Sequence, residues 1–111
     1  MRNMTQQPTD GAGQPTTDAF EVRHTPEDNR YEVWAAGERA GFAAYVVDGD
    51  RITFTHTEVA DRFEGQGVGS VLVRGALDDV RRGGRFGVVA ECPFVAEWLA
   101  RHPDQQDVLP D

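Results

Sequence analysis

Glu64-Gly65-Gln66-Gly67-Val68-Gly69-Ser70 sets three glycines at alternate positions, immediately ahead of a run in which Val68, Val71, Leu72, Ala76, Leu77 and Val80 recur at helical spacing. Upstream, Ile52-Thr53-Phe54-Thr55-His56-Thr57-Glu58-Val59 reads as a strand. A strand, a glycine turn and a helix in that order let backbone amides face an anionic group with no side chains between. Glycine turns also occur simply to let a helix pack close to a sheet, and the loop by itself leaves both readings open. A P-loop needs a Gly-Lys-Ser/Thr ending, and the chain contains no lysine. The dinucleotide fingerprint needs Gly-x-Gly-x-x-Gly, whereas the spacing here is Gly-x-Gly-x-Gly.

Downstream, the helix is predicted to run to about Arg82, where Gly83-Gly84 stops it, with Arg74, Asp78 and Arg81 as a solvated face. Phe86-Gly87-Val88-Val89-Ala90 is an apolar run suited to a buried strand. A helix between two strands normally makes them parallel through a right-handed crossover. Cys92-Pro93 opens a second helix whose stripe Val95, Trp98, Leu99 and His102 suits the core, and Pro103 ends it. The stretch Asp104 to Asp111 is polar, with Val108 and Leu109 as a weak dock.

Toward the amino terminus, four strands are predicted: Phe20 to His24, Arg30 to Ala36, Arg39 to Val47, and Arg51 to Val59. Pro26, Asp28 and Asn29, then Gly37-Glu38, then Asp48-Gly49-Asp50 mark the tight turns of an antiparallel meander. Residues 1–17 are Gln, Thr, Pro, Gly and Asp with almost nothing to bury, which predicts a disordered tail ahead of one domain over 18–111. The order ββββαβα gives an α+β fold: an antiparallel meander joined to a parallel βαβ unit in one mixed sheet, helices packed on it.

A chain of 111 residues holds a single domain. Its net charge of −8 and scattered arginines argue against a nucleic-acid surface. No apolar run is long enough to span a membrane, the amino terminus lacks a hydrophobic signal core, and Cys92 is the only cysteine, so a reducing cytoplasmic setting is the expectation.

Parallel neighbours bring their carboxyl ends to one edge, so His56, Glu58, the glycine loop and Cys92 should converge there, where the antiparallel part meets the parallel pair. By the period of two, Ile52, Phe54, His56 and Glu58 share a face, so two ionisable groups continue an apolar stripe. Either the strand simply leaves the core at its end, or these groups handle a proton beside an apolar pocket. Cys92 precedes Pro93 at the start of a helix, whose free amides favour an accessible thiolate; a buried structural cysteine is the competing reading.

Three blocks, His56-Thr57-Glu58-Val59, then Phe63 through Ser70, then Cys92-Pro93-Phe94-Val95 with Trp98 and Arg101-His102-Pro103, together resemble the short, single-domain branch of the GNAT N-acetyltransferase superfamily. The resemblance covers about residues 20 to 109. It implies a sheet whose fourth and fifth strands splay apart to admit acetyl-coenzyme A as cosubstrate, without a metal. The amides of Gly65, Gln66, Gly67, Val68, Gly69 and Ser70 would cradle the pyrophosphate, and the backbone at Val59 would meet the pantetheine or thioester. Glu64 stands where the usual loop has Arg or Gln, leaving Arg62 as a substitute cation. The implied activity is acetyl transfer to a small-molecule or protein amine. It would proceed directly with Glu58 or His56 as base, or through an acyl group on Cys92. A noncatalytic coenzyme A-binding or sensing module is the alternative.

Overall fold

Ala36 and Gly37 both take positive φ, 52° and 79°, closing a two-residue hairpin whose twist matches that of the strands it joins. The turn is therefore Ala36-Gly37 rather than Gly37-Glu38, and Ala36 leaves the strand predicted to contain it. The computed structural model describes residues 20–110, so the predicted tail over 1–17 lies outside the described residues.

Strands β1 (Glu21–Thr25), β2 (Arg30–Ala35), β3 (Glu38–Asp48) and β4 (Arg51–Val59) pair antiparallel in chain order. Helix α1 (Val68–Gly83) then crosses over to β5 (Gly87–Ala90), which pairs parallel with β4, and α2 (Pro93–Arg101) follows. The sheet order is β1-β2-β3-β4-β5, the predicted meander joined to the predicted parallel pair.

Both helices lie on one face of this sheet. Leu72, Val73, Ala76 and Leu77 of α1 bury themselves with Tyr31, Val33, Ala43, Tyr45, Ile52 and Phe54 of the strands, and Val95, Trp98 and Leu99 of α2 join the same cluster. Trp98 Nε1 donates to Ser70 Oγ at 2.9 Å, pinning α2 to the first turn of α1. Gly84 caps α1 in the left-handed conformation, its N–H reaching Val80 O at 3.1 Å. The carboxyl-terminal segment docks more firmly than its polarity predicts. Pro103–Val108 forms a 3₁₀ turn, Val108 is buried, and Arg81 grips Asp107 through two nitrogens at 2.8 and 2.9 Å.

Two bulges decide which side chains face which way. Val33 pairs with Gly41 but Trp34 with Arg39, so Ala40 is an extra residue of β3. Tyr45 pairs with Phe54 but Ala44 with His56, so Thr55 is an extra residue of β4. After Thr55 the alternation of β4 inverts: Ile52 and Phe54 are buried, His56 and Glu58 are exposed, and the partly buried residues are Thr57 and Val59. No helix among the described residues covers the other face, which carries Glu32, Trp34, Phe42, His56 and Glu58.

Candidate functional site

The parallel pair separates at Phe54. Its carbonyl oxygen accepts from both Glu91 N and Cys92 N, at 3.0 and 2.9 Å, and the chain then turns into α2. β4 continues to Val59 without β5 beside it, so the sheet opens into a wedge. Ala60 N–H bonds Ala40 O at 2.8 Å across to β3. Amides alternate along an extended chain, so those of Val59 and Thr57 point the other way, into the wedge.

On the helix side of the wedge lies a groove of about 430 Å³, walled by Thr57, Val59 and Phe63, by the glycine loop and first turn of α1, and by Phe94. The loop geometry explains its glycines. Phe63 to Glu64-Gly65 to Gln66 is a β-turn with Gln66 N bonded to Phe63 O at 3.3 Å, and Gly65, at φ 82°, occupies the position that requires positive φ. Gly67 caps α1 at φ 77° and offers no side chain. The first bond within the helix runs from Val71 N to Gly67 O, leaving the amides of Val68, Gly69 and Ser70 without helical partners. A β-carbon on Gly65 or Gly67 would have nothing within 4 Å, so the cradle is open where a phosphate would approach. These features fit the diphosphate of a coenzyme.

Of the residues predicted to hold it, Val59, Gly65, Gly67, Val68, Gly69 and Ser70 line the groove. Gln66 does not; its side chain donates to Arg62 O at 3.2 Å. Arg62 is bound to Glu38 at 2.8 Å and stands outside the lining, so the groove presents the helix amides and no guanidinium.

The predicted catalytic set is not brought to one place. His56 and Glu58 bond to each other at 2.8 Å, but the Thr55 bulge turns them to the open face, away from the groove. They therefore do not continue the Ile52-Phe54 stripe. Cys92, expected at an accessible helix start, does sit at the N-cap of α2, yet is 4 % exposed. Its Sγ donates to Thr57 Oγ1 at 3.4 Å, and Thr57, not Cys92, reaches the groove. Burial follows from Val88, Val95 and Leu99 closing the core around the start of α2.

On the open face Glu32 is buried and bound by Arg30 at 2.7 Å, by Trp34 Nε1 at 2.9 Å and by Arg39 at 3.4 Å. Burial pushes its carboxyl up, but the donors from Trp34, Arg30 and Arg39 together outweigh burial and hold it below the usual carboxylate range. Phe42 lies between this network and His56, with Arg30 and Arg39 near its ring and the His56 ring at 5.9 Å.

Sequence reasoning missed Thr57, Phe63 and Phe94 in the groove. Strict alternation from Phe54 puts Thr57 on the wrong face, and only the bulge corrects it. Phe94 could have been noticed as an apolar residue at the second position of α2, next to Cys92-Pro93, that the core stripe does not use.

A model of the GCN5-related N-acetyl-transferase family matches residues 30–108. Among solved structures, a GCN5-like N-acetyltransferase candidate from Staphylococcus aureus, determined by NMR, superposes with a TM-score of 0.62 at 26% identity, covering 81% of this chain and 87% of that one. A search of curated proteins by sequence finds no match.

Proposed function

Because the chain belongs to the GCN5-related N-acetyltransferase family, we propose that it moves an acetyl group from acetyl-coenzyme A to an amine across the wedge between β4 and β5. The observation that carries this reading is the disposition of groups about β4. An open glycine cradle lies toward the helix side, strand amides point into the wedge, and an ionisable pair lies on the other face. When bound, the coenzyme supplies an acyl group activated as a thioester.

The chain's own groups divide the remaining work. The free amides at the start of α1 hold the diphosphate, helped by the positive end of the helix dipole. The Val59 and Thr57 amides orient the acyl carbonyl and stabilise negative charge on its oxygen. An acceptor amine approaches from the open face, where Glu58 and His56 stand together. With His56 Nε2 donating to the Glu58 carboxylate, Nδ1 keeps a lone pair and takes the amine proton. The acceptor is a small-molecule or protein amine, and the setting is the cytoplasm; no helix among the described residues is long and apolar enough to cross a membrane.

The test is turnover of acetyl-coenzyme A across a panel of amines, read by release of free thiol. Acceptor-dependent release supports the reading. Binding of coenzyme A without turnover of any amine would leave a binding or sensing module, and no binding at all would remove both.

A further inference from the structure

Thr57 lines the groove, whereas Cys92 sits behind it with its thiol proton directed at Thr57 Oγ1 over 3.4 Å. Among the described residues the Thr57 hydroxyl donates to no acceptor, so its own proton is left for a partner in the groove. Two other acids are committed elsewhere: Tyr31 donates to Asp79 at 2.7 Å and Tyr45 is bound to His24 at 2.7 Å, and neither lines the groove, whereas Glu64, in the glycine turn, is the one carboxylate among the described residues that does line it.

We propose that Thr57 and Cys92 form a proton relay that protonates the departing thiol in acyl transfer, with Cys92 as proton source rather than nucleophile. This rests on the acetyltransferase reading above. As the amine nitrogen bonds the acyl carbon and the carbon–sulfur bond breaks, the electron pair of that bond goes to the leaving sulfur. Thr57 gives that sulfur its hydroxyl proton and takes the Cys92 proton. The Cys92 thiolate is reprotonated from water, and the amine proton leaves through His56. A buried thiol cannot readily attack a carbonyl in the groove, but it can pass a proton through one hydroxyl.

Few charges bear on that sulfur. On β4 the ionisable His56 and Glu58 lie on the other face. The first turn of α1 offers Val68, Gly69 and Ser70, and Arg74 lies over the Trp98 ring at 5.3 Å. On α2, Glu97 is paired with Arg101 at 2.9 Å, and Glu91 just before it is exposed.

The link between the two residues is tested first without coenzyme. Cys92 is the single cysteine, so its thiolate can be titrated by ultraviolet absorbance against a Cys92→Ala blank. Thr57→Val should raise the midpoint, because the hydroxyl that turns to donate once the thiol is deprotonated is lost, and Thr57→Ser should restore it. An unmoved midpoint in Thr57→Val overturns the relay. With acetyl-coenzyme A, Thr57→Val should lose turnover by roughly a hundredfold. It should lose far less with the selenium analogue, whose leaving group needs no proton, and Cys92→Ala should abolish the basic limb of the pH profile. An acetyl group found on Cys92 and chased onto an amine overturns the proposal in favour of covalent transfer. Turnover indifferent to Thr57 sinks the relay alone, whereas wild-type protein that binds coenzyme A yet releases no thiol sinks the acetyltransferase reading with it.

Discussion

A β-carbon on Gly41 would stand 2.5 Å from the carbonyl oxygen of Glu58, so β3 and β4 approach more closely beside the candidate site than any residue but glycine permits. The obstacle is backbone, which cannot rotate away. Gly41→Ala should therefore force β4 outward where it carries Glu58 and Val59, lowering the melting temperature well below that of Gly83→Ala, whose β-carbon meets nothing within 4 Å. Thermal unfolding of the two variants side by side checks this.

Gly67→Ala places a side chain at φ 77° and in the cradle at once. The left-handed conformation alone should cost roughly 1–2 kcal/mol. Gly49→Ala, at φ 60° in a distant hairpin, carries the strain without the cradle. Both variants should melt lower, but coenzyme A should raise the melting temperature of the wild type and of Gly49→Ala and not that of Gly67→Ala. Equal ligand responses would remove the cradle from the binding account.

His56→Ala and Glu58→Gln should reduce turnover by about a hundredfold or more while leaving coenzyme A binding nearly intact, since both groups lie on the face away from the groove. At least one should move the acidic limb of the pH–rate profile. Unchanged rates in both variants would mark the pair as surface structure.

Glu32 supplies a pH dependence of stability. Its carboxyl is held low in the folded protein, so it binds a proton more readily when unfolded, and the stability it contributes is present above the ordinary carboxylate range. That contribution is lost as pH falls through the depressed folded value. The gap in stability between wild type and Glu32→Gln should accordingly be widest at neutral pH and shrink in acid, as denaturant midpoints across pH would show.

The sheet order, the parallel pair and the glycine cradle were legible because each rests on a local signal: turn residues, period, and glycines where φ must be positive. Gly67 and Gly65 could be read as a loop that needs no side chains, and the structure adds that each sits at positive φ. The face of His56 and Glu58 was not legible. A bulge costs one unpaired residue and leaves no compositional mark, so Thr55 looks like any strand threonine until its neighbours across β3 are known. Cys92 failed for a related reason: its place at a helix start is local, but it is covered by β4, whose Phe54 carbonyl and Thr57 hydroxyl meet it from a distant part of the chain.

The Thr55 bulge has a kinetic consequence under the proposed function. By reversing the strand one residue after Phe54, it gives the coenzyme and the amine separate doors, the groove under the helices for one and the uncovered sheet face for the other. Neither ligand stands in the other's exit. Initial rates measured over both concentrations should then intersect as for a ternary complex, with either ligand able to enter first.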